Sequence, residues 1–147
     1  MSPAPAHPQG ILDTSTVISL EQLIDAKALP AEPLITAITL AELSVGPLLA
    51  SSESDRAARQ MRLQRAEADF NPLPFDDSAA RAFGGLAASL RRAGRKTTAR
   101  GYDAMIAATA VANGLPLYTC HPANFSDIDG LEVVAVPLPD DAASPGA

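Results

Sequence analysis

The stretch Gly10-Ile11-Leu12-Asp13-Thr14-Ser15-Thr16-Val17-Ile18 changes its periodicity within nine residues. Gly10 to Asp13 reads as a buried strand. Thr14 or Ser15 can then cap a helix whose apolar positions Val17, Ile18, Leu20, Leu23 and Ile24 follow helical spacing. The same alternation continues outward. Leu34 to Ile38 reads as a second strand, and Thr39 opens a helix to about Val45 that stops near Gly46-Pro47. Ser52 or Ser54 can start a long polar helix to about Asp69, and Pro72-Leu73-Pro74-Phe75 is a candidate short strand. Asp76-Asp77-Ser78 begins a helix that Gly94 ends, and another covers about Tyr102 to Asn113 and closes at Gly114. Leu115 to Thr119 and Glu132 to Val136 supply the last strands. Strands alternating with helices imply an α/β fold, with a central, mostly parallel sheet of four to five strands flanked by helices on both faces.

The 147 residues fit one domain, expected over 10–138, between Pro-, Ala-, Ser- and Gly-rich tails at 1–9 and 139–147 that are expected to be disordered. A chain of this size hides roughly 68–70% of its unfolded surface, and a hydrophobic fraction of 47% can fill that core without staples. The lone Cys120 makes no intrachain bridge and excludes a Cys-clustered zinc site, which fits a reducing cytoplasm. Residues 1–10 lack the basic and apolar regions of a signal peptide. No apolar run approaches the ~20 residues needed to cross a bilayer, so a soluble protein without membrane contact is expected.

A net charge of −6 argues against indiscriminate nucleic-acid binding, but the charge is unevenly placed. Residues 56–100 hold ten of the eleven bases against four acids, a local +6, and the remainder carries −12. One positive surface beside concentrated carboxylates suits an anion held near metal ions; solvated helix faces are the plainer reading. The same choice applies to Arg56, Arg59, Arg62 and Arg65, which recur at every third position. The run Arg91-Arg92-Ala93-Gly94-Arg95-Lys96, with Arg100 beyond it, leads toward Asp103 and could track an RNA backbone. Low aromatic content, 4%, argues against a stacking platform for single strands.

In open α/β sheets the functional crevice lies beyond the carboxyl ends of the strands. Asp13 ends the first strand, Glu42 sits a helical turn past the second, Thr119 ends the fourth before His121 and Asn124, and Asp103 lies in the first turn of the helix feeding that strand. Each has an ordinary alternative. Asp13 can serve as an N-cap. Thr39-Leu40-Ala41-Glu42 matches a capping box. Asp103 can complement the helix dipole, although it shares a face with Ala107 and Ala110 and is expected to point inward. His121 is an ordinary loop residue on its own, and Cys120 a small buried filler. Convergence of the acids is what singles them out.

Ile11-Leu12-Asp13-Thr14-Ser15, Thr39-Leu40-Ala41-Glu42-Leu43, Tyr102-Asp103-Ala104-Met105-Ile106 and Leu117-Tyr118-Thr119-Cys120-His121-Pro122-Ala123-Asn124-Phe125, taken in order, resemble the PIN-domain ribonucleases. More narrowly they resemble the VapC toxins of bacterial type II toxin–antitoxin pairs. The resemblance spans nearly the whole folded body. It implies a PIN-like fold and an endoribonuclease dependent on Mg²⁺ or Mn²⁺, usually dimeric and held inactive by a cognate antitoxin. On this resemblance Asp13, Glu42 and Asp103 fall on the family's first three acids, Ser15 on its small hydroxyl position near the metal, and Thr119 on the threonine closing the fourth strand. The family often has Asn or Asp where His121 stands, and commonly Asp where Asn124 stands. That departure puts the fourth carboxylate in doubt.

The chemistry agrees independently. Hard dications choose carboxylate and water oxygens, and Mg²⁺ commonly takes about one or two carboxylates while keeping several waters. Asp13 and Asp103 are the expected direct ligands, Glu42 a ligand or water-holder, and Ser15 and Thr119 their supports. Two rivals are weighed against this reading. An aspartyl-phosphate chemistry of the haloacid-dehalogenase type would want Asp at position 15, where Ser15 stands. An inactive PIN scaffold would bind antitoxin or RNA without cutting it.

Overall fold

The structure is a computed structural model that describes residues 8–23, 26–95 and 101–138. Four strands, β1 (Gln9–Leu12), β2 (Glu32–Leu34), β3 (Leu117–Thr119) and β4 (Val133–Ala135), form one sheet in the order β2-β1-β3-β4, all parallel. Five α-helices accompany it: α1 (Thr14–Ile18), α2 (Ala37–Val45), α3 (Glu53–Asp69), α4 (Asp77–Arg92) and α5 (Gly101–Asn113).

Successive residues of a strand face opposite sides, and the two central strands show it. Ile11 and Leu117 pack into one core with Leu86 and Leu90 of α4 and Ala104, Ala107 and Ala108 of α5. Leu12 and Tyr118 pack into a second core with Val17 of α1, Leu43 of α2 and Ala66 of α3. Helices therefore cover both faces, as expected. Gly10 is needed where it stands, because a Cβ there would lie 2.5 Å from Tyr118 Cε1. Gly114 closes α5 in the left-handed region, at φ 63°.

Several element boundaries differ from the sequence reading. Gln9 belongs to β1, pairing with Glu32, so the N-terminal tail is shorter than 1–9; residues 1–7 and 139–147 lie outside the described residues. The first helix is capped by Asp13 rather than Thr14 or Ser15, and ends at Ile18 before a 3-10 turn at Leu20–Gln22. Its short length fits a run of β-branched residues, which lose side-chain freedom in a helix. Ile24 lies outside the described residues.

The second strand sits earlier, at Glu32–Leu34 rather than Leu34–Ile38. It is an edge strand pairing with β1 alone, and an edge tolerates the missing N–H of Pro33. The following helix is capped by Thr36, whose hydroxyl accepts the Thr39 N–H at 3.2 Å, and not by Thr39. The candidate strand at 72–75 shrinks to one bridge between Leu73 and Thr36, because Pro72 and Pro74 on either side of Leu73 offer no ladder donor. The last two strands keep only three residues each of the spans expected.

Candidate active site

The chain leaves β1 toward β2 on one side and later proceeds from β3 to β4 on the other, so the strand order reverses between β1 and β3. That reversal is where a parallel sheet opens a crevice at its carboxyl edge. Asp13 and Thr119 stand on its two sides, and the Thr119 hydroxyl donates to Asp13 Oδ2 at 2.8 Å.

Asp13 is only 3% exposed, and a buried carboxylate is costly unless donors meet it. Four do. Thr16 donates its backbone N–H to Oδ1 at 3.1 Å and its hydroxyl to the same oxygen at 2.5 Å. The Ser15 hydroxyl stands 3.1 and 3.0 Å from the two carboxylate oxygens, and Thr119 supplies the fourth donor. Asp13 thus serves as the N-cap of α1, its ordinary alternative, while standing at the carboxyl edge of the sheet.

Glu42 is half-buried on α2 and accepts from the Thr14 hydroxyl at 2.7 Å. Thr14 has one hydroxyl hydrogen, spent on Glu42, so the 3.0 Å contact between Thr14 and Thr39 uses the hydrogen of Thr39. The chain of donors runs Thr39 to Thr14 to Glu42. It also corrects the capping-box alternative: with the cap at Thr36, the Glu42 carboxylate is turned to α1. Burial raises the Glu42 carboxyl above its usual range, the Thr14 hydrogen bond opposes that, and the charges of Asp103 and Asp13 raise it further.

Asp103 is half-buried in the first turn of α5. The influence of both aspartates on Glu42 brings all three acids into one electrostatic neighbourhood. From Glu42 a cleft of about 530 Å³ extends between α1, α2 and α3, lined by Thr14, Ile18, Val45, Leu49, Arg59 and Arg62 among others.

The remaining expected residues are placed less centrally. The His121 side chain is exposed, and its contribution to the site is its backbone N–H, which donates to the Thr119 hydroxyl at 2.9 Å. Asn124 is half-buried on the 3-10 turn Pro122–Phe125, with its N–H on the His121 carbonyl at 3.0 Å. Arg91 and Arg92 are exposed at the end of α4. Arg92 pairs with Asp129 at 3.5 Å, and Arg95 reaches Ser126 Oγ at 2.5 Å and Asp127 at 3.3 Å, so two of the basic residues are tied to the loop after β3. Lys96 and Arg100 lie outside the described residues. On α3, Arg56 meets Glu53, Arg59 meets Asp55 and the Gly46 carbonyl, and Arg65 meets Glu21, while Arg62 lines the cleft. Thr16 and Thr39 were not singled out for the site from sequence. The signal available was the hydroxyl run Thr14-Ser15-Thr16 directly after a buried strand.

The PIN-domain family model matches residues 11–131. Ribonuclease VapC5 of Mycobacterium tuberculosis is 38% identical over 138 residues, 92% of this chain and 98% of that protein. A Ribonuclease VapC of Rickettsia bellii is 32% identical over 133 residues, covering 88% of this chain and 98% of that protein. Among solved structures, VapBC-5 from M. tuberculosis, a member of the VapBC family of toxin–antitoxin systems, superposes with a TM-score of 0.76 at 37% identity over 88% of this chain and 99% of that one. This chain belongs to the PIN-domain family, in its VapC branch.

Proposed function

We propose that the protein is a metal-dependent endoribonuclease of the cytoplasm and the toxin of a toxin–antitoxin pair, which cuts RNA phosphodiesters and so arrests translation and growth. The observation that carries this reading is the buried Asp13 at the carboxyl edge of the sheet, which with Asp103 lies near enough to Glu42 to add to the upward push that burial exerts on the Glu42 carboxyl. Like charges gathered at a sheet edge are held at a cost that a bound cation relieves.

The donor set fits Mg²⁺ or Mn²⁺, since carboxylate oxygens suit hard ions. Among the described residues no three His, Cys, Asp or Glu side chains are grouped closely enough to hold an ion between them. Mg²⁺ commonly takes about one or two carboxylates and completes its shell with water. Asp13 and Asp103 would hold the ion, with Glu42 as a further ligand or a holder of water. When bound, such an ion supplies positive charge against the scissile phosphate and lowers the pKa of water. The chain's own part is to orient Asp13 through Ser15, Thr16 and Thr119, and to place Glu42 through Thr14. Asn124 brings no charge, so one well-occupied metal site and a weak or RNA-dependent second one are proposed, and Asn124→Asp should lower the Mg²⁺ concentration needed; a preference for Mn²⁺ would need the His121 imidazole turned inward, and that side chain is exposed.

RNA is proposed to enter past Arg91, Arg92 and Arg95, with Lys96 and Arg100 added from sequence. A small cognate antitoxin is proposed to cover the acidic crevice with a basic side chain on its carboxylates. Ile18, Val45 and Leu49, exposed on the cleft wall, give such a partner apolar surface beside the charge. A homodimer is part of the same proposal and rests on family membership alone.

Purified protein incubated with RNA and Mg²⁺ or Mn²⁺ is expected to cleave it, chelator to stop the reaction, and co-expression with the neighbouring gene product to give a stable complex and restore growth. RNA left intact with both metals would overturn the nuclease reading. It would support the rival, a PIN scaffold that binds without cutting, which the amide at Asn124 and the loose grouping of acids favour.

A further inference from the structure

Thr16 is fully buried one turn behind Asp13, and its hydroxyl serves two partners at once. It donates to Asp13 Oδ1 at 2.5 Å and accepts the Cys120 backbone N–H at 3.1 Å. Its alternative acceptors, the Tyr118 carbonyl at 3.4 Å and the Cys120 sulfur at 3.6 Å, are longer, so its single hydrogen belongs to Asp13. Thr119 repeats the device on the other oxygen: it accepts the His121 N–H at 2.9 Å and donates to Asp13 Oδ2 at 2.8 Å. Two consecutive amides past the end of β3 are thus each relayed through a threonine hydroxyl to opposite oxygens of the same carboxylate.

A carboxylate held by one hydroxyl can pivot about that contact. Held at both oxygens from two sides, it is fixed in plane and in rotation. We propose that Thr16 is a positioning residue for Asp13, completing with Thr119 a two-sided clamp that aims the carboxylate at the mouth of the crevice. The proposal rests on the metal-dependent nuclease reading and adds to it a residue that would not touch metal or RNA. Ser15, standing about equally far from both oxygens and only partly buried, is the donor left to yield when a cation approaches.

Thr16→Val keeps the shape and removes the hydroxyl; Thr16→Ser keeps the hydroxyl. Calorimetric titration of the full chain with Mn²⁺ and steady-state RNA cleavage should be read together. Loss of a hydrogen bond behind a metal ligand lowers metal affinity by about 10–100-fold, so Thr16→Val is expected to bind Mn²⁺ at least about tenfold more weakly. Its kcat at saturating Mn²⁺ should also fall, while KM for RNA stays near that of the wild type. Thr16→Ser should restore affinity to within about threefold on the same basis. If Thr16→Val does not fold, Thr16→Ser against Thr16→Ala makes the same contrast. Equal Mn²⁺ affinity and kcat in the hydroxyl-bearing and hydroxyl-free variants would overturn the clamp and leave the nuclease reading standing. A wild type that neither binds Mn²⁺ nor cuts RNA would overturn the nuclease reading itself.

Discussion

The end of β1 and the body of α2 each present a carboxylate to the crevice, under opposite conditions. Asp13 is buried, and donors from α1 and from the end of β3 converge on both its oxygens. Glu42 is half-buried and accepts from Thr14, while burial and two neighbouring aspartates push its carboxyl up. The difference separates two duties. A carboxylate met by donors at both oxygens is held in one orientation, which suits an anchor. One whose ionisation is opposed by its surroundings responds to whatever approaches, which suits a group that takes up a cation or a water only when one arrives.

If Asp13 is the anchor, Asp13→Asn should cause the largest loss, a fall in RNA cleavage of more than about 100-fold, since the charge goes while the shape stays. Asp13→Ala should in addition lower unfolding free energy by about 2–3 kcal/mol, because an N-cap and several charge-assisted hydrogen bonds go together. Full cleavage by either variant would erase the distinction between the two regions. Thr14→Val tests the other side. It removes the interaction that opposes the upward push on Glu42, so the Glu42 carboxyl should move further up and cleavage fall about tenfold at pH 7. The loss should shrink as pH rises, which a pH–rate profile would detect.

A finer test uses metal-free protein. A carboxyl raised in the folded state makes its full relative contribution to stability below its ordinary value of 4.5 and loses it as pH climbs through the raised value. Glu42→Gln should therefore stabilise the metal-free protein near pH 7, with the gain fading as pH falls toward 4.5, as thermal melts across pH would register. A gain that persists in acid would assign the effect to packing. The smallest effect is expected at the basic end of α4. Arg91→Ala should flatten the salt dependence of RNA binding by about 0.7 in the log–log slope for a single strand. Arg92 and Arg95, already tied to Asp129 and Asp127, should each give less.

The same contrast marks what the sequence discloses. Asp13, Glu42 and Asp103 stand out because acids at the ends of buried strands and the start of an alanine-rich helix are expensive to leave without purpose, and chain order alone brings them to one edge. The hydroxyls that govern them do not stand out. Thr16 and Thr39 are unremarkable in helices, and their roles depend on contacts 104 and 25 positions away, with Cys120 and Thr14. The cap of α2 lies three residues before the one the sequence suggests, because Thr36 and Thr39 are both cap residues ahead of apolar positions and local pattern does not choose between them. Pairing of Arg92 and Arg95 with the loop after β3 is equally tertiary, across 37 and 32 positions.

Pro33 gives the sheet an asymmetry with consequences for assembly. It lies on an edge strand, opposite Gly10, and just beyond that strand Thr36 bridges Leu73, itself set between Pro72 and Pro74. An arriving extended peptide would find a border short of amide hydrogens and already bridged at its far end, so strand-on-strand addition, the route by which exposed sheets recruit one another into aggregates, is closed on this side. A partner arriving on this side has to hold side chains rather than extend the sheet.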